Sequence, residues 1–214
     1  MTNSTGTYLD RTRTAYDTVA ASYAKMLNGS VAESTWERAV LGAYAEVVTG
    51  PVAEVGCGTG RITAHLHSLG VDIRGIDLSP GMIAEARAAY PEISFAVGSM
   101  LELDLPDESL SGLLAWYSLV HTPPELLSTA FAEFARVLKP GGRLAVAFKV
   151  GDAKRTLSSG YGHDIDLDVY EYPPEQFAAL LADAGLTETM RLVRAAEGPE
   201  KQPQGYSFFL KPAP

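Results

Sequence analysis

Two short motifs carry residue types suited to holding a nucleoside. Glu54-Val55-Gly56-Cys57-Gly58-Thr59-Gly60 places a glycine at every second position, directly after a short apolar run. Gly75-Ile76-Asp77 ends a second apolar run on a carboxylate. Glycines lack a Cβ, so the backbone can turn tightly and approach a ligand closely. A carboxylate about twenty residues further on accepts hydrogen bonds from ribose hydroxyls in nucleotide-binding α/β units. The two motifs together predict a nucleoside-containing cofactor.

The glycine spacing narrows the kind of nucleoside. A dinucleotide-binding turn has the form G-x-G-x-x-G, and its helix N-terminus faces a pyrophosphate. In this chain the position of the third dinucleotide glycine is Arg61. The spacing therefore favours a nucleoside ligand without a pyrophosphate. The alternative is a glycine-rich turn that binds no ligand.

The composition is that of an ordinary globular protein and argues against several classes. The 214 residues, 46% apolar and 20% charged, fit one α/β domain. A net charge of −9 without any run of Lys or Arg argues against a nucleic-acid partner. The single cysteine, Cys57, excludes an internal disulfide and fits a reducing compartment. With no apolar leader and no bilayer-spanning run, we expect a cytoplasmic protein without a membrane partner.

Apolar periodicity predicts alternating helices and strands. Helices are expected at 10–27, 33–48, 59–69, 79–90, 123–138 and 173–184. Strands are expected at 51–55, 71–77, 93–97, 110–117, 143–150, 186–193 and 204–211. A Gly/Ser-rich stretch at 151–162 interrupts the pattern and is expected to be a loop. The alternation predicts a parallel, doubly wound sheet with helices on both faces.

Further segments of the chain resemble a known family. They are Gly98-Ser99-Met100, Leu103-Asp104-Leu105-Pro106, Asp107-Glu108-Ser109-Leu110 and Arg136-Val137-Leu138-Lys139-Pro140-Gly141-Gly142. With the first motif, their order and spacing resemble class I S-adenosylmethionine (SAM) dependent methyltransferases of the small-molecule type, including the quinone-biosynthesis group. The resemblance covers residues 50–150 and implies an α/β, Rossmann-like fold. Such a fold has a doubly wound seven-stranded sheet, mostly parallel with an antiparallel last strand, plus N-terminal cap helices.

The resemblance also implies one methyltransferase domain over residues 1–214. Its expected parts are N-terminal cap helices at 1–49, a SAM-binding core at 50–150, a substrate-side insertion at 151–172, and a C-terminal helix and strands at 173–214. We expect the N-terminal helices and residues 151–172 to shape the pocket of the second substrate.

Cofactor-binding roles follow from the resemblance where positions match the family pattern. The implied residues are Tyr16, Tyr23, Glu54, Gly56, Cys57, Gly58, Gly60, Asp77, Leu78, Met82, Ser99, Met100 and Ala115. Asp77 would bind the ribose diol, while Leu78 and Met82 would pack on the adenine. Ser99 stands where the family usually has an aspartate. Cys57 is explained equally well as a small packing residue.

The tyrosines of the first helix resemble those of the family's leading helix, which often closes over the cofactor. Tyr16 and Tyr23 could donate hydrogen bonds to the SAM carboxylate and help to exclude water. The alternative is that both rings are ordinary helix-packing aromatics.

Chemistry is expected at the carboxyl ends of the strands, where open α/β sheets bind ligands. The catalytic candidates are His121 and His163, because an imidazole can take a proton from a hydroxyl or an amine near neutral pH. The expected substrate-binding residues are Trp116, Tyr117, His121, His163 and Tyr170. Each histidine has a structural alternative: His121 capping or packing at the Pro123-Pro124 helix, and His163 within a solvated acidic edge strand.

Taken together, the sequence predicts an enzyme that transfers a methyl group from SAM to an O, N or C atom of a small molecule. S-adenosylhomocysteine (SAH) would be the second product. Alignment of acceptor, methyl group and sulfur can supply much of the rate, with a base needed only if the acceptor must lose a proton. The alternatives are a SAM-binding regulatory module without turnover, or another SAM-dependent group transfer. The residue spacings predict no metal site, and we expect a monomer or a homodimer.

Overall fold

The computed structural model describes residues 4–27 and 35–213, which form an alternating series of helices and strands. The helices are α1 (Ser4–Leu27), α2 (Thr35–Val47), α3 (Arg61–Ser68), α4 (Pro80–Ala89), α5 (Pro124–Val137) and α6 (Pro174–Asp183). The strands are β1 (Val52–Val55), β2 (Ile73–Asp77), β3 (Phe95–Val97), β4 (Leu110–Trp116), β5 (Leu138–Lys149), β6 (Lys154–Gly160), β7 (His163–Tyr170), β8 (Thr187–Arg194) and β9 (Gln204–Leu210). A short 3₁₀ turn, Leu119–His121, follows β4.

Seven of these strands form one sheet in the order β3-β2-β1-β4-β5-β9-β8. The strands from β1 to β5 pair in parallel. The last strand, β9, runs antiparallel to both of its neighbours, β5 and β8. This topology confirms the predicted Rossmann-like sheet. Because β1 and β4 lie between parallel neighbours and under helices on both faces, they are buried along almost their whole length.

Alternate side chains of β4 enter separate hydrophobic cores on the two faces of the sheet. Leu113 and Ala115 pack in the core under α5 and α6. Leu114 and Trp116 pack in the core under α2 and α3. This alternation is the period-two geometry of a strand. Two packed faces make the sheet a firm platform for the loops at its carboxyl edge.

The boundaries of several elements differ from the prediction. The first helix begins at Ser4 instead of residue 10, and β5 begins at Leu138 instead of residue 143. The second helix begins at Thr35, and residues 33 and 34 of the predicted helix lie outside the described residues. The order and type of the elements outside 151–172 follow the prediction.

Residues 154–170 form a β-hairpin, so the prediction of a loop over 151–162 is wrong. The alternative given for His163, an acidic strand, is what forms: Ile165, Leu167 and Val169 alternate with aspartates along β7. Gly160 pairs with His163 in the hairpin register. The two residues between them, Tyr161 and Gly162, both have positive φ, 53° and 83°, as a type I′ turn requires.

The long helix α1 lies over the carboxyl edge of the sheet and is tied down at two places. Near its middle, Asp17 Oδ1 accepts hydrogen bonds from Ser79 Oγ at 2.5 Å and from the Gly81 amide at 2.8 Å. Ser79 Oγ also accepts from the Met82 amide at 3.0 Å, so it caps the N-terminus of α4. Nearer the start of α1, Arg11 forms an ion pair with Asp166 of the hairpin at 2.7 Å. The helix is thereby held against both α4 and the hairpin.

Ser79→Ala removes both the cap of α4 and a hydrogen bond to α1. We expect the free energy of unfolding to fall by about 1 to 2 kcal/mol, the usual cost of losing such a cap, as measured by urea denaturation. Asp17→Ala keeps the Ser79–Met82 hydrogen bond but removes the acceptor of the Ser79 hydroxyl and of the Gly81 amide, so it should cost a similar amount and also increase hydrogen exchange in α1. Thr18→Ala is the matched control, because the Thr18 hydroxyl donates to Thr14 within the same helix. An equal loss of stability in the control would contradict this role of Ser79.

Candidate active site

A cavity lies at the carboxyl edge of the sheet, between the strand ends and α1. Its empty space, with the opening to solvent included, is about 820 Å³. The predicted residues that line it are Tyr16, Tyr23, Gly56, Gly58, Asp77, Leu78, Ser99, Met100, Trp116, Tyr117 and His121. Other residues that line it are Tyr8, Leu9, Thr12, Val55, Arg61, Ile76, Ser79, Gly98 and Ser118. Residues predicted to bind cofactor and residues predicted to bind substrate thus meet at one cavity.

The alternate glycines of the first motif are required for different reasons. Gly56, Gly58 and Gly60 all have positive φ, at 71°, 54° and 81°, which other residues rarely adopt. A Cβ on Gly56 would overlap Ser118, and a Cβ on Gly60 would overlap Phe95, so packing fixes these two. A Cβ on Gly58 would have only the Tyr23 ring within reach, at 4.0 Å. Gly58 is therefore the position where the backbone is open to a ligand.

The carboxylate of Asp77 lies at the end of β2 and organises the cavity floor. Its Oδ2 accepts a hydrogen bond from the Gly58 amide, and its Oδ1 accepts one from the Ser79 amide, both at 2.8 Å. Burial raises the pKa of Asp77 above its ordinary value, while the two amides act in the opposite direction. Each carboxylate oxygen has a further lone pair, so each can also accept a hydrogen bond from a ligand hydroxyl.

Glu54 lies beneath the cavity and is not among the residues that line it. Its side chain is buried, and Thr63 Oγ1 donates a hydrogen bond to its Oε2 at 2.5 Å. Burial raises the pKa of Glu54 to about 8. In this position Glu54 links β1 to α3 and so holds the glycine turn between them.

Arg61, the first residue of α3, brings a positive charge to the cavity wall. Its Nη1 lies 3.5 Å from Glu37 Oε2, yet this buried nitrogen has no hydrogen-bond partner among the described residues. Ser118 Oγ, on the same cavity, is also buried without a partner in the described part of the chain. Buried polar atoms are normally hydrogen-bonded. The two atoms therefore indicate room for a polar group of a ligand.

An aromatic wall closes the cavity at the end of β4. Trp116 donates from Nε1 to Glu37 Oε1 at 2.8 Å, which fixes its ring. Tyr117 has a φ of 55°, an uncommon value for a non-glycine residue, and its hydroxyl donates to the Tyr206 hydroxyl at 2.9 Å. Strained backbone of this kind persists where surrounding structure holds it, often at functional sites. The strand thus ends by turning two large rings toward the cavity.

His121 lies in the cavity wall with both ring nitrogens engaged. Its Nδ1 lies 2.8 Å from the carbonyl oxygen of Asp168, and its Nε2 lies 2.6 Å from the Tyr16 hydroxyl. Burial lowers the pKa of His121 to about 4, because the charged form is poorly solvated there. The ring is therefore neutral near neutral pH, and Tyr16 covers the nitrogen that a base would use.

Several predicted cofactor-binding residues pack behind the cavity instead of lining it. Cys57 packs against Ile83 and Phe95. Met82 packs between α4 and α1, against Val19. Gly60 and Ala115 are likewise not among the lining residues. These positions support the cavity wall from outside.

His163 and Tyr170 lie on the hairpin, away from this cavity. His163 Nε2 lies 2.8 Å from Ser22 Oγ on α1. Tyr170 lines a second cavity between α1, the hairpin and the 3₁₀ turn. The two cavities share Tyr8, Thr12 and His121, which stand between them.

The residues of α1 that line the cavity follow a pattern that the sequence analysis did not use. Tyr8, Thr12 and Tyr16 recur at four-residue intervals, so they lie on one face of the helix. Arg61 was noted only as the residue that replaces a dinucleotide glycine. Its position at a helix start, beside the glycine turn, was the available evidence for a role in the site.

Within residues 4–27 and 35–213, no group of histidine, cysteine and carboxylate side chains is arranged to hold a metal ion. No helix in the same ranges is long and apolar enough to span a membrane.

Comparison with known proteins gives matches concentrated in the middle of the chain. Residues 52–142 match the family model described as a methyltransferase domain. A demethylmenaquinone methyltransferase of Beutenbergia cavernae is 34% identical over 112 residues, which are 52% of this chain and 46% of that protein. An O-methyltransferase of Aspergillus sclerotiorum, resE, is 38% identical over 145 residues, which are 63% of this chain and 53% of that protein. The chain spans about half the length of these curated relatives.

A solved structure matches over nearly the whole chain. The DhpI–SAH complex has a TM-score of 0.75 at 19% identity and covers 96% of this chain and 97% of that one. At this identity the likeness shows the fold. The family match, by contrast, contains the glycine turn, Asp77 and the aromatic end of β4. Residues 52–142 of this chain therefore resemble a methyltransferase domain, and the sheet that carries them is Rossmann-like.

Proposed function

We propose that this chain binds SAM in the cavity under α1 and transfers its methyl group to an O, N or C atom of a small molecule. The observation that carries the proposal is the Asp77 carboxylate, held by two backbone amides beside the open face of Gly58. A methyltransferase-domain match over the same residues supports it. The names of the relatives, which include demethylmenaquinone methyltransferases and O-methyltransferases, favour a small-molecule acceptor.

The nucleoside part of SAM fits the floor of the cavity. Asp77 retains lone pairs for the two ribose hydroxyls. Leu78 and Met100 offer apolar surface for the adenine ring, and Ser99 offers a hydroxyl at its edge. Ser99 Oγ accepts a hydrogen bond from the Leu101 amide, so its proton is available for the adenine.

The amino-acid part of SAM fits the wall formed by the glycine turn and α3. Gly58 allows the aminoacyl chain of SAM to approach the backbone. Arg61 Nη1, which is ion-paired with Glu37 but makes no hydrogen bond within the described residues, is suited to a carboxylate. Ser118 Oγ offers a further hydrogen bond. We therefore add Arg61 to the residues proposed to bind the cofactor, as the partner of its carboxylate.

The reactive end of SAM would face Trp116 and Tyr117. The sulfonium, when bound, supplies an electrophilic methyl group. Aromatic faces attract a cation by about 0.5 to 2 kcal/mol, and α1 covers the cavity against water. The contribution of the chain is thus to align the two substrates and to exclude water. His163 remains a candidate base only if α1 and the hairpin move, because Ser22 now occupies its Nε2.

The function is tested by two measurements on the full chain. Isothermal titration with SAM and with SAH tests binding, and we expect both to bind. Incubation with tritium-labelled SAM and a panel of phenols, quinols and amines tests transfer, and we expect label in an extracted product. Binding without transfer to any compound would favour a SAM-binding module, and a chain that binds neither nucleoside would refute the proposal.

Asp77→Asn should weaken binding of SAH by about 10- to 100-fold, since hydrogen bonds to a charged group contribute about 1.5 to 3 kcal/mol. The matched control is Asp72→Asn, because Asp72 is exposed and precedes the opposite, amino end of β2. Titration calorimetry measures both variants, and circular dichroism checks that each is folded. Unchanged SAH affinity in the folded Asp77 variant would rule out its ribose role.

The Arg61→Met variant tests whether Arg61 binds the carboxylate end of the cofactor and not its nucleoside end. Methylthioadenosine has the nucleoside of SAH but no carboxylate, so its affinity should change less than about threefold, whereas SAH affinity should fall at least tenfold. The Asp77 variant should weaken both ligands, because both carry the ribose. Equal losses for the two ligands in the Arg61 variant would show that Arg61 acts on the fold of the site and not on the carboxylate.

A further inference from the structure

Three groups from distant parts of the chain form one hydrogen-bond chain at the cavity wall. The carbonyl oxygen of Asp168, on the hairpin, lies 2.8 Å from His121 Nδ1. His121 Nε2 lies 2.6 Å from the Tyr16 hydroxyl on α1. We call this the Tyr16–His121 chain. It joins α1, the turn after β4 and the hairpin.

The direction of every hydrogen bond in this chain is fixed by chemistry. A carbonyl oxygen can only accept, so His121 Nδ1 must carry the proton that it donates to Asp168. In a neutral imidazole the other nitrogen is then an acceptor. Burial favours this neutral form by lowering the pKa of His121. The Tyr16 hydroxyl must therefore donate its proton to Nε2.

The consequence is that Tyr16 has no proton left for a ligand. A tyrosine hydroxyl carries one donor, and His121 takes it. What remains is the lone-pair side of Tyr16 Oη, in a residue that lines the cavity. Tyr16 therefore cannot donate to the SAM carboxylate, which was the role expected from the sequence. It can only accept, from an O–H or an N–H group.

The neighbours of Tyr16 indicate which ligand carries that group. Tyr23 lies toward Gly58 and Arg61, where the amino-acid end of SAM is proposed to bind. Tyr16 lies between the Tyr23 ring, at a centroid distance of 6.3 Å, and the His121 ring, which is nearer at 5.4 Å. His121 belongs to the wall that the second cavity shares. A second substrate that arrives from the hairpin side would meet this wall.

We propose that Tyr16 Oη accepts a hydrogen bond from a hydroxyl or amine of the methyl acceptor, and that His121 is a positioning residue that holds Tyr16 in this state. The inference rests on the proposed methyl transfer and narrows its substrate class. The substrates are small molecules with an O–H or N–H group that can reach Tyr16 Oη. Carbon nucleophiles without such a group are excluded.

The first test measures, in the absence of any ligand, which ring nitrogen of His121 carries a proton. Nitrogen-15 NMR of the full chain, labelled at histidine, distinguishes protonated from bare ring nitrogens. We expect His121, assigned by its absence in His121→Gln, to carry a proton on Nδ1 and none on Nε2 at neutral pH. Tyr16→Phe should shift the Nε2 resonance, since that nitrogen loses its donor. A proton on Nε2 would overturn the proposal.

The second test measures which acceptors are methylated and how the Tyr16→Phe variant changes that activity. In the labelled-SAM assay we expect transfer to dimethoxyphenol and to amines of the panel but not to trimethoxybenzene, which lacks a donor. We expect the variant to lower kcat/KM for donor-bearing acceptors by about tenfold, with the SAH dissociation constant within about twofold of the parent. Tyr90→Phe, after the end of α4 and outside the cavity, is the control for loss of a hydroxyl.

Three results would overturn the assignment: full turnover in Tyr16→Phe, transfer to trimethoxybenzene, or a large loss of SAH affinity in the variant. The last would mean that the amino group of the cofactor is the donor to Tyr16. Failure of the unmodified protein to bind SAH would refute the proposed function instead. The ligand-free NMR spectrum keeps these two failures apart.

Discussion

The rest of the candidate site depends on the two backbone amides that converge on Asp77. The Gly58 amide fixes the turn after β1, and the Ser79 amide fixes the start of α4. Through its hydroxyl, Ser79 then reaches Asp17 on α1. Hydrogen bonds to an ionised acceptor are among the stronger ones in proteins. The positions of the glycine turn, the start of α4 and α1 around the cavity therefore all depend on the Asp77 carboxylate, directly or through Ser79.

The floor of the site was predictable because local patterns encode it. A glycine turn after one buried strand and a carboxylate after the next must meet, since the carboxyl ends of parallel strands share an edge. Gly58 and Asp77 meet in this way, since the Gly58 amide donates a hydrogen bond to Asp77. The alternation along β7 also encodes the hairpin, whereas the Gly/Ser-rich composition of residues 151–162 is typical of a loop.

The environment of His121 was not predictable from sequence. Its residue type indicated proton chemistry, yet its partners are Tyr16 and Asp168, which come from segments far away along the chain. No local pattern encodes such a meeting, because it follows from how α1 and the hairpin pack on the sheet. Arg61 Nη1 is similar, since only the packed structure shows that this nitrogen makes no hydrogen bond to the described residues.

The family match and the roof of the cavity occupy different parts of the chain. Residues 52–142 contain the glycine turn, Asp77 and the end of β4. Tyr8, Thr12 and Tyr16 precede that segment, and the hairpin follows it. The match therefore supports the proposed role of the cavity floor in binding a nucleoside. The surface that would select a second substrate is built from residues that the family match does not include.

The way α1 is fastened has a kinetic consequence. A ligand beneath this helix would be in contact with it, because five of its side chains line the cavity: Tyr8, Leu9, Thr12, Tyr16 and Tyr23. The Arg11–Asp166 fastening is solvent-exposed and therefore weakened by salt, whereas the Asp17–Ser79 fastening ends on a buried hydroxyl. Contacts with α1 would then contribute to the affinity of a ligand in the cavity, and any movement of α1 would change its residence time.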